Sequence, residues 1–488
     1  MNSLDIVFIN PGDRKVVFQD LGKDITAIEP PYLTLSFATY LQNEGFNVKI
    51  IDANAENISP DETAILVQEL NPRLIALIVY GNQPSASTQN MSIAGKLASV
   101  IKEKTAIPIV MGGLHPSALP NRTLLEEDVD FVIEGEEQIP LKMLLSQLKG
   151  KQDFSQVEGL WYKENREVKH NSKGSLIQNL DTYMPIANWD LLPMDKYRAH
   201  NWHCFDDIEH RMPYAAIYTS LGCPYKCTFC CINTPFGQST IRYRSPKIVV
   251  EELEILRKQY GVKNIKFIDE MFVLHESHYM TIMELLIEKD LDLNIWCYAR
   301  VDTIKEHTLA TMKKAGVNWL ALGIESANPD VRDGASKKMR VKDIQERVRL
   351  IQNAGIRVIG NYIFGLPDDT KDSMRETLDM AKELNCEFAN FYCAMAYPGS
   401  PLYKIAIEQG WQLPDVWHGY SQHSYVMQPL PSKYLNAKDI VKFRDDAFHE
   451  YFQNPLYLEM LEEKFGVSVR DHILEITKTR LKRKILGD

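Results

Sequence analysis

Thr219-Ser220-Leu221-Gly222-Cys223-Pro224-Tyr225-Lys226-Cys227-Thr228-Phe229-Cys230 places three cysteines at CxxxCxxC spacing. The chain has eight cysteines in 488 residues, so three at these offsets by accident would be rare. A short loop with this spacing aims three thiolates at one side of an iron–sulfur cube, which normally takes four cysteines. Three ligands leave one iron open, as catalytic metal sites keep an open position. The loop therefore reads as part of a catalyst rather than an electron wire, with Cys223, Cys227 and Cys230 as ligands of a 4Fe–4S cluster.

Around the loop, short β-branched runs alternate with amphipathic helices. The predicted strands are Tyr214–Ser220, Asn264–Ile268, Asn294–Ala299, Trp319–Gly323, Arg357–Phe364 and Phe388–Ala394. Ser245-Pro246 reads as an N-cap followed by proline in the first helical turn. Gly261, Gly316 and Gly355 fit helix C′ positions, each with a strand following. Six βα units are fewer than the eight of a closed barrel, so residues 213–405 read as a partial (β/α)6 barrel of TIM type, open at one side.

Chemistry in such barrels sits at the carboxyl ends of the strands. There the sequence offers Asp269 and Glu270, Arg300, Glu325 and Ser326, with Asn361 and Asp368 bracketing the end of strand five. Singly, each reads equally well as a solvated loop residue or an internal ion pair. Together they suit a zwitterionic, ribose-bearing cofactor: carboxylates for an ammonium or ribose hydroxyls, a guanidinium for a carboxylate.

Residues 1–150 show five βα repeats, with strands at Asp5–Asn10, Val48–Asp52, Leu74–Tyr80, Pro108–Met111 and Phe131–Ile133. Helices are predicted over Tyr32–Glu44 and Thr88–Lys104. This is a Rossmann-like, doubly wound α/β sheet with a ligand crevice at the strands' carboxyl ends. Gly112-Gly113 follows the fourth strand, as a tight turn or as a close approach to a ligand. His115 alone reads more readily as a packed or solvated histidine than as a ligand. Glu134-Gly135-Glu136-Glu137 reads as a polar turn whose carboxylates favour the next helix N-terminus.

Residues 151–212 read as a connector: a small hairpin, Gly159–Tyr162 with Glu167–His170, then an apolar strap, Met184 to Met194, packed across a domain junction. His200, His203, Cys204 and His210 lack regular metal spacing. Residues 406–488 are aromatic loops and helices, Asp439–Asn454 and Pro455–Phe465, expected to cap the open barrel and shape a substrate pocket. The basic end, Lys478 to Lys484, reads as a solvated helix end.

A formal charge of −10 argues against nucleic acid as the main partner. No apolar run approaches the roughly 20 residues of a membrane span. Met1-Asn2-Ser3-Leu4-Asp5 carries no basic region of a signal peptide. Unevenly spread cysteines suggest reduced thiols, hence a cytoplasmic location.

The cysteine loop, with Phe229 just before Cys230, resembles the radical S-adenosylmethionine superfamily. The doubly wound domain with its Gly-Gly loop ahead of the barrel resembles that superfamily's cobalamin-binding branch. The resemblance implies that S-adenosylmethionine is chelated by the open iron and cleaved by one electron to a 5′-deoxyadenosyl radical. It gives Phe229 and Ile363 the adenine, Asp269, Glu270 and Arg300 the methionine part, and Glu325 with Ser326 the ribose side. Asn361 replaces the first glycine of the superfamily's glycine-x-isoleucine-x-glycine pattern, and Asp368 its terminal glutamate. Ser85, Ser87, Gly112, Gly113, His115, Glu134 and Gly135 are the implied cobalamin contacts. No histidine precedes His115 and the Asp-x-His-x-x-Gly motif is missing, so cobalamin is expected without a protein histidine on cobalt.

The expected activity is methylation of an unactivated carbon of a small-molecule substrate by way of methylcobalamin, with a reductant such as flavodoxin or ferredoxin. The alternatives are a non-methylating cyclase, oxidase or rearrangement enzyme, and a non-catalytic cobalamin or redox sensor. Cys231 reads as a neighbour of the cluster, and Cys297 and Cys393 as buried small hydrophobes. With no cysteine before Cys204, a second, N-terminal cluster is not expected.

Overall fold

The computed structural model describes residues 4–12, 14–19, 26–336 and 340–488; Met1-Asn2-Ser3, part of the leader reading, lies outside them. The first sheet contains β1 (Ile6–Asn10), β2 (Val48–Asp52), β3 (Leu74–Val79), β4 (Ile109–Gly113) and β5 (Phe131–Ile133), all parallel. Every residue of β3 is buried, as expected for a strand covered by helices on both faces. β1 pairs with β2 on one side and β3 on the other, so the order 2-1-3-4-5 reverses there. That reversal is where open α/β sheets hold their ligands.

The hairpin is not confined to a connector. Its strands β6 (Leu160–Glu164) and β7 (Glu167–His170) continue the same sheet antiparallel beyond β5, making seven strands. A hairpin leaves two edges, and docking one on β5 satisfies the sheet's own open edge. The helix expected from Thr88 begins at Pro84, the helix-compatible first position for proline, which puts Ser85 and Ser87 in its first turn.

The second sheet is an open half-barrel of six parallel strands. β8 (Tyr214–Ile217) is one edge, followed in space by β11 (Asn264–Phe267), β12 (Asn294–Arg300), β13 (Val317–Glu325), β14 (Arg357–Phe364) and β15 (Phe388–Cys393). The strand expected over Tyr214–Ser220 breaks after Ile217. β9 (Ser220–Gly222) turns away and pairs antiparallel with β10 (Ile241–Tyr243), framing the cysteine loop. Helix Pro246–Tyr260 starts as expected, but Ser245 makes no side-chain cap; its N–H and Oγ both donate to Asp181, just ahead of the strap. Gly261, Gly316 and Gly355 all take positive φ after their helices.

Trp202 of the connector plugs the amino end of the half-barrel, against Trp296, Trp319 and Phe388. His203 donates from Nε2 to the carbonyl of Asn294, and burial pushes its pKa down to about 3, so it is a neutral packing residue. At the other side, helix Ala437–Phe452 lies along β15. Gln422 meets that edge strand with both ends of its amide: Oε1 accepts from Cys393 N at 2.8 Å and Nε2 donates to Cys393 O at 2.9 Å. The basic tail differs from expectation. Arg483 is fully buried, donating to Asp445 and to the carbonyls of Ser424 and Gln422.

The two sheets are locked by buried polar contacts. Arg244 of the barrel unit donates to Tyr32 Oη and to Glu252 Oε2, each at 2.6 Å, and both charged side chains are 0% exposed. Lys266 of β11 donates to Glu29 at 3.1 Å and to the carbonyl of Asn82 at 2.8 Å. Arg242 pairs with Glu136. The carboxylates expected to serve a helix N-terminus are spent instead on buried contacts: Glu136 on Arg242 across the joint, and Glu137 on the hydroxyl of Tyr80 within the first unit.

Candidate active site

Cys223, Cys227 and Cys230 border one cavity of about 540 Å³ inside the half-barrel. Their loop is held by its neighbours. Asn233 accepts from Cys223 N at 3.2 Å and donates to Cys223 O at 2.8 Å, Thr228 N donates to Ala335 O, and Leu402 N donates to Thr228 O. Among the described residues no three His, Cys, Asp or Glu side chains converge on a single metal ion. A cube asks for something else: one thiolate for each of three irons, around a common space. Burial pushes the Cys223 thiol up to about 11, a cost that coordination to a metal removes by taking the proton. Cys231 borders the same cavity, with its Sγ 3.8 Å from the carbonyl oxygen of Pro84. Cys297 and Cys393 are buried in their strands.

The strand-end residues separate into two groups. Glu270, Arg300, Glu325, Asn361 and Ile363 line the cavity with Phe229. Phe229 and Ile363 share an apolar cluster with Leu366. Glu325 has φ of +67°, at a register shift where β13 meets β14, and this irregularity sets its carboxylate at the wall. A left-handed conformation in a non-glycine residue costs on the order of 1–3 kcal/mol and tends to mark functional positions. Burial raises the Glu270 carboxyl to about 7, opposed by the charge of Lys266.

Asp269 and Ser326 stand behind that wall. Asp269 accepts from Thr219 N, Thr219 Oγ1 and Ser220 Oγ at 2.7, 2.6 and 2.6 Å. It fixes the junction of β8 and β9 from which the cysteine loop departs. Ser326 Oγ pairs with Thr377 Oγ1 and accepts from Asn328 N. Asp368 is paired with Lys433 on the outside.

At the reversal point of the first sheet, a crevice of about 140 Å³ is bordered by Asn10, Tyr80 and Gly81 at the ends of β1 and β3. Glu29, Gln83 and Gln89 border both this crevice and the barrel cavity, so the two spaces adjoin. Of the residues expected to meet cobalamin, Ser85 lines the barrel cavity and Ser87 a small cleft between the two sheets. Ser87 also donates to Val79 O and accepts from His115 N. Gly113 has φ of +138°, and a Cβ there would lie 2.2 Å from the Val79 carbonyl; a Cβ on Gly112 would press on Glu137. The glycine pair thus has an internal reason as a tight passage beside β3.

His115 is packed within the fold. Its ring stands 4.4 Å from that of Trp417, Nδ1 is 3.2 Å from Thr88 Oγ1, and burial holds its pKa near 3. Glu134 accepts from Trp161 Nε1 and pairs with Lys173, while Gly135 N donates to Ser117 Oγ. None of these three borders the crevice, the cleft or the barrel cavity.

Sequence reasoning did not find Lys266, Tyr298 or Tyr392, all on the cavity wall. The available signal was a polar side chain at an inward-facing strand position, as in Asn264-Ile265-Lys266-Phe267.

The radical SAM superfamily profile matches residues 217–381, and the B12 binding domain profile matches residues 20–145. An uncharacterized methyltransferase of Pyrococcus horikoshii is 31% identical over 460 residues, 94% of each chain. The anaerobic magnesium-protoporphyrin IX monomethyl ester cyclase of Rubrivivax gelatinosus is 27% identical, across 93% of this chain and 78% of the cyclase. Among solved structures, the radical S-adenosylmethionine methyltransferase TsrM from Kitasatospora setae, with cobalamin and a [4Fe-4S] cluster bound, superposes with a TM-score of 0.72 at 17% identity. That match covers 98% of this chain and 99% of TsrM, and it establishes a shared fold.

Proposed function

The chain belongs to the B12-binding branch of the radical S-adenosylmethionine enzymes, and from that premise we propose that it methylates an unactivated carbon of a small molecule held in the barrel cavity. The observation that carries this reading is the common space. The three cysteines of the loop face the same cavity that adjoins the crevice of the first sheet.

When bound, the cluster supplies an open iron and an electron, S-adenosylmethionine the radical precursor, and cobalamin a transferable methyl group. The chain's own residues hold and orient these groups. Cys223, Cys227 and Cys230 ligate the cluster. Glu270 and Arg300 take the ammonium and carboxylate of S-adenosylmethionine, Glu325 the ribose, and Phe229 with Ile363 the adenine. Asp269 and Ser326 are positioning residues, each one layer behind. Ser85, on the barrel cavity, and Ser87, on the cleft between the sheets, remain on the cobalamin side. His115, packed on Trp417, is not among the residues that would hold cobalamin. Trp202 below and the C-terminal helices beside the cavity keep water from the reacting groups.

The division of labour follows the fold. Residues 1–150 with the docked hairpin hold cobalamin, the rest of 151–212 joins the units, 213–405 forms the barrel, and 406–488 closes it. Among the described residues no helix is long and apolar enough to cross a membrane. A cytoplasmic site of action with a flavodoxin- or ferredoxin-like electron donor completes the proposal.

The likeness to a cyclase over nearly the whole chain favours one second reading, a radical reaction without methyl transfer. The deciding experiment is anaerobic reconstitution with metal and cobalamin analysis, followed by product assay. Four irons, one cobalamin and co-production of S-adenosylhomocysteine with 5′-deoxyadenosine support methyl transfer. 5′-Deoxyadenosine alone supports the second reading.

A further inference from the structure

The barrel cavity has an apolar flank with one cationic corner. Phe448, Phe452, Ile473 and Ile476 from the C-terminal helices face Trp296 and Ile359 of the barrel across it. At the β15 edge, Arg444 lines the same cavity although it is only 6% exposed. Its Nε donates to Phe391 O at 2.8 Å and its Nη1 to Asp445 at 2.7 Å. Nη2 makes no hydrogen bond among the described residues and is left to the cavity. Asp445 is shared with Arg483, so two guanidinium groups divide one carboxylate between them, and the Asp488 carboxylate accepts from Arg483 N on the far side of the corner. His423, beside Arg444, lines the cavity, while its Nδ1 is sealed away from it without a partner. Tyr392, next in sequence to Phe391, presents its hydroxyl in the same region; burial raises it to about 12, and Arg444 opposes that rise.

Asp445 already meets the charge of Arg444, but its unused Nη2 donor still costs stability unless an acceptor reaches it, and a carboxylate is the strongest such acceptor. The cluster loop offers no such group at this place, because Arg300 already serves that side of the cavity. We infer that Arg444, with His423 and Tyr392, receives the carboxylate of the substrate, and that the substrate is an apolar, ring-bearing carboxylic acid whose body lies along the C-terminal helices. The donors match the two oxygens of a carboxylate, which accept several hydrogen bonds between them. The inference rests on reading the cavity as the reaction chamber, and it adds the chemical class that the chamber selects.

Equilibrium dialysis of the reconstituted protein with 2-naphthoate, 2-naphthamide and 2-naphthyl phosphate tests it. The expected result is binding of 2-naphthoate about tenfold or more tighter than the neutral amide, the scale of one charge-assisted hydrogen bond. Arg444→Met should erase that preference, Arg444→Lys should keep part of it, and Tyr392→Phe, which removes only a hydroxyl, should lower it severalfold. Iron content of each variant reports whether the barrel has kept its fold. Equal binding of acid and amide, binding of neither, or a preference unchanged in Arg444→Met overturns the assignment. Tighter binding of the phosphate overturns the carboxylate. A wild type that holds four irons and cleaves S-adenosylmethionine yet shows no acid preference sinks this inference alone. A chain that holds no cluster sinks the reaction-chamber reading beneath it.

Discussion

Arg300 Nη1 lies 3.9 Å from Cys227 Sγ, while Nε and Nη2 of the same guanidinium grip the two oxygens of Asp302, each at 2.9 Å. The plane also stacks 4.0 Å over the ring of Tyr225, inside the cysteine loop. One side chain is thus fixed on two sides, and Asp302 sets where its positive charge stands beside the cluster loop. A bidentate fork gives such direction where a lysine would not.

Arg300→Met should therefore weaken S-adenosylmethionine binding by about tenfold or more, the scale of a lost charge-assisted contact. Iron content should stay near wild type, since the three cysteines are untouched. Asp302→Asn should give a smaller loss of the same kind. Cofactor affinity unaltered in both variants would remove Arg300 from the cofactor site.

Alanine at Cys223, Cys227 or Cys230 should lower bound iron and abolish 5′-deoxyadenosine formation. Alanine at Cys231 should leave iron content near wild type. Loss of iron in Cys231→Ala equal to that of its neighbours would mean the ligand set has been misread by one residue.

Asp269 gathers three donors onto one carboxylate, two of them from Thr219. Asparagine offers one acceptor oxygen and brings an N–H₂ into a site built for acceptance. Asp269→Asn should cost about 2–4 kcal/mol of stability, the scale of stranding buried donors. Iron retention should fall with it, because β9 carries the loop. Denaturant unfolding and iron analysis on one preparation measure both.

Glu137 gives a pH-dependent signature. Burial raises its carboxyl from 4.5 to about 8, so the folded chain favours the protonated form. That contribution is present in full below about pH 4.5 and is lost as pH rises towards 8. Glu137→Gln should flatten the decline in stability over this window by roughly 2–4 kcal/mol. Parallel melting curves for wild type and variant, both at pH 5 and pH 8, would show it; identical slopes would place the proton elsewhere.

Arg244→Met would leave Glu252 charged, buried and without its cation, next to the Trp189 indole that also donates to it. The expected loss is about 3–5 kcal/mol, and a double variant that also replaces Glu252 by leucine should recover much of it. Failure of the double variant to recover would assign the role to Tyr32 or Trp189.

The barrel was the more legible half of the chain. Its strands announce themselves because apolar β-branched runs begin just after glycine-marked helix ends, and the cysteine spacing has few other uses. What stayed hidden depended on contacts distant in sequence. Nothing local separates Asp269 from Glu270, yet one serves the β8–β9 junction and the other the cavity. Asp269 meets Thr219 and Ser220 about fifty residues away, and no local pattern records that. His115 read as either packed or solvated, and the choice stayed open because Trp417, which covers it, lies some three hundred residues on. The glutamates before the helix Gln138–Lys149 read as dipole partners since Arg242 and Tyr80 could not be seen beside them. The hairpin's docking on β5 was equally nonlocal, as was the burial of Arg483 in what reads locally as a basic tail.

Gln422 has a consequence beyond the barrel wall. A half-barrel ends in a strand with unused hydrogen bonds, and such a strand invites a second molecule to add itself. The amide of Gln422 occupies both the N–H and the C=O of Cys393, and Arg444 takes the carbonyl of Phe391. Two side chains thus imitate a short stretch of the missing neighbour strand. Removing them would leave a sticky margin exposed between chains, and the first symptom of Gln422→Ala would be self-association on storage, before any change in unfolding midpoint.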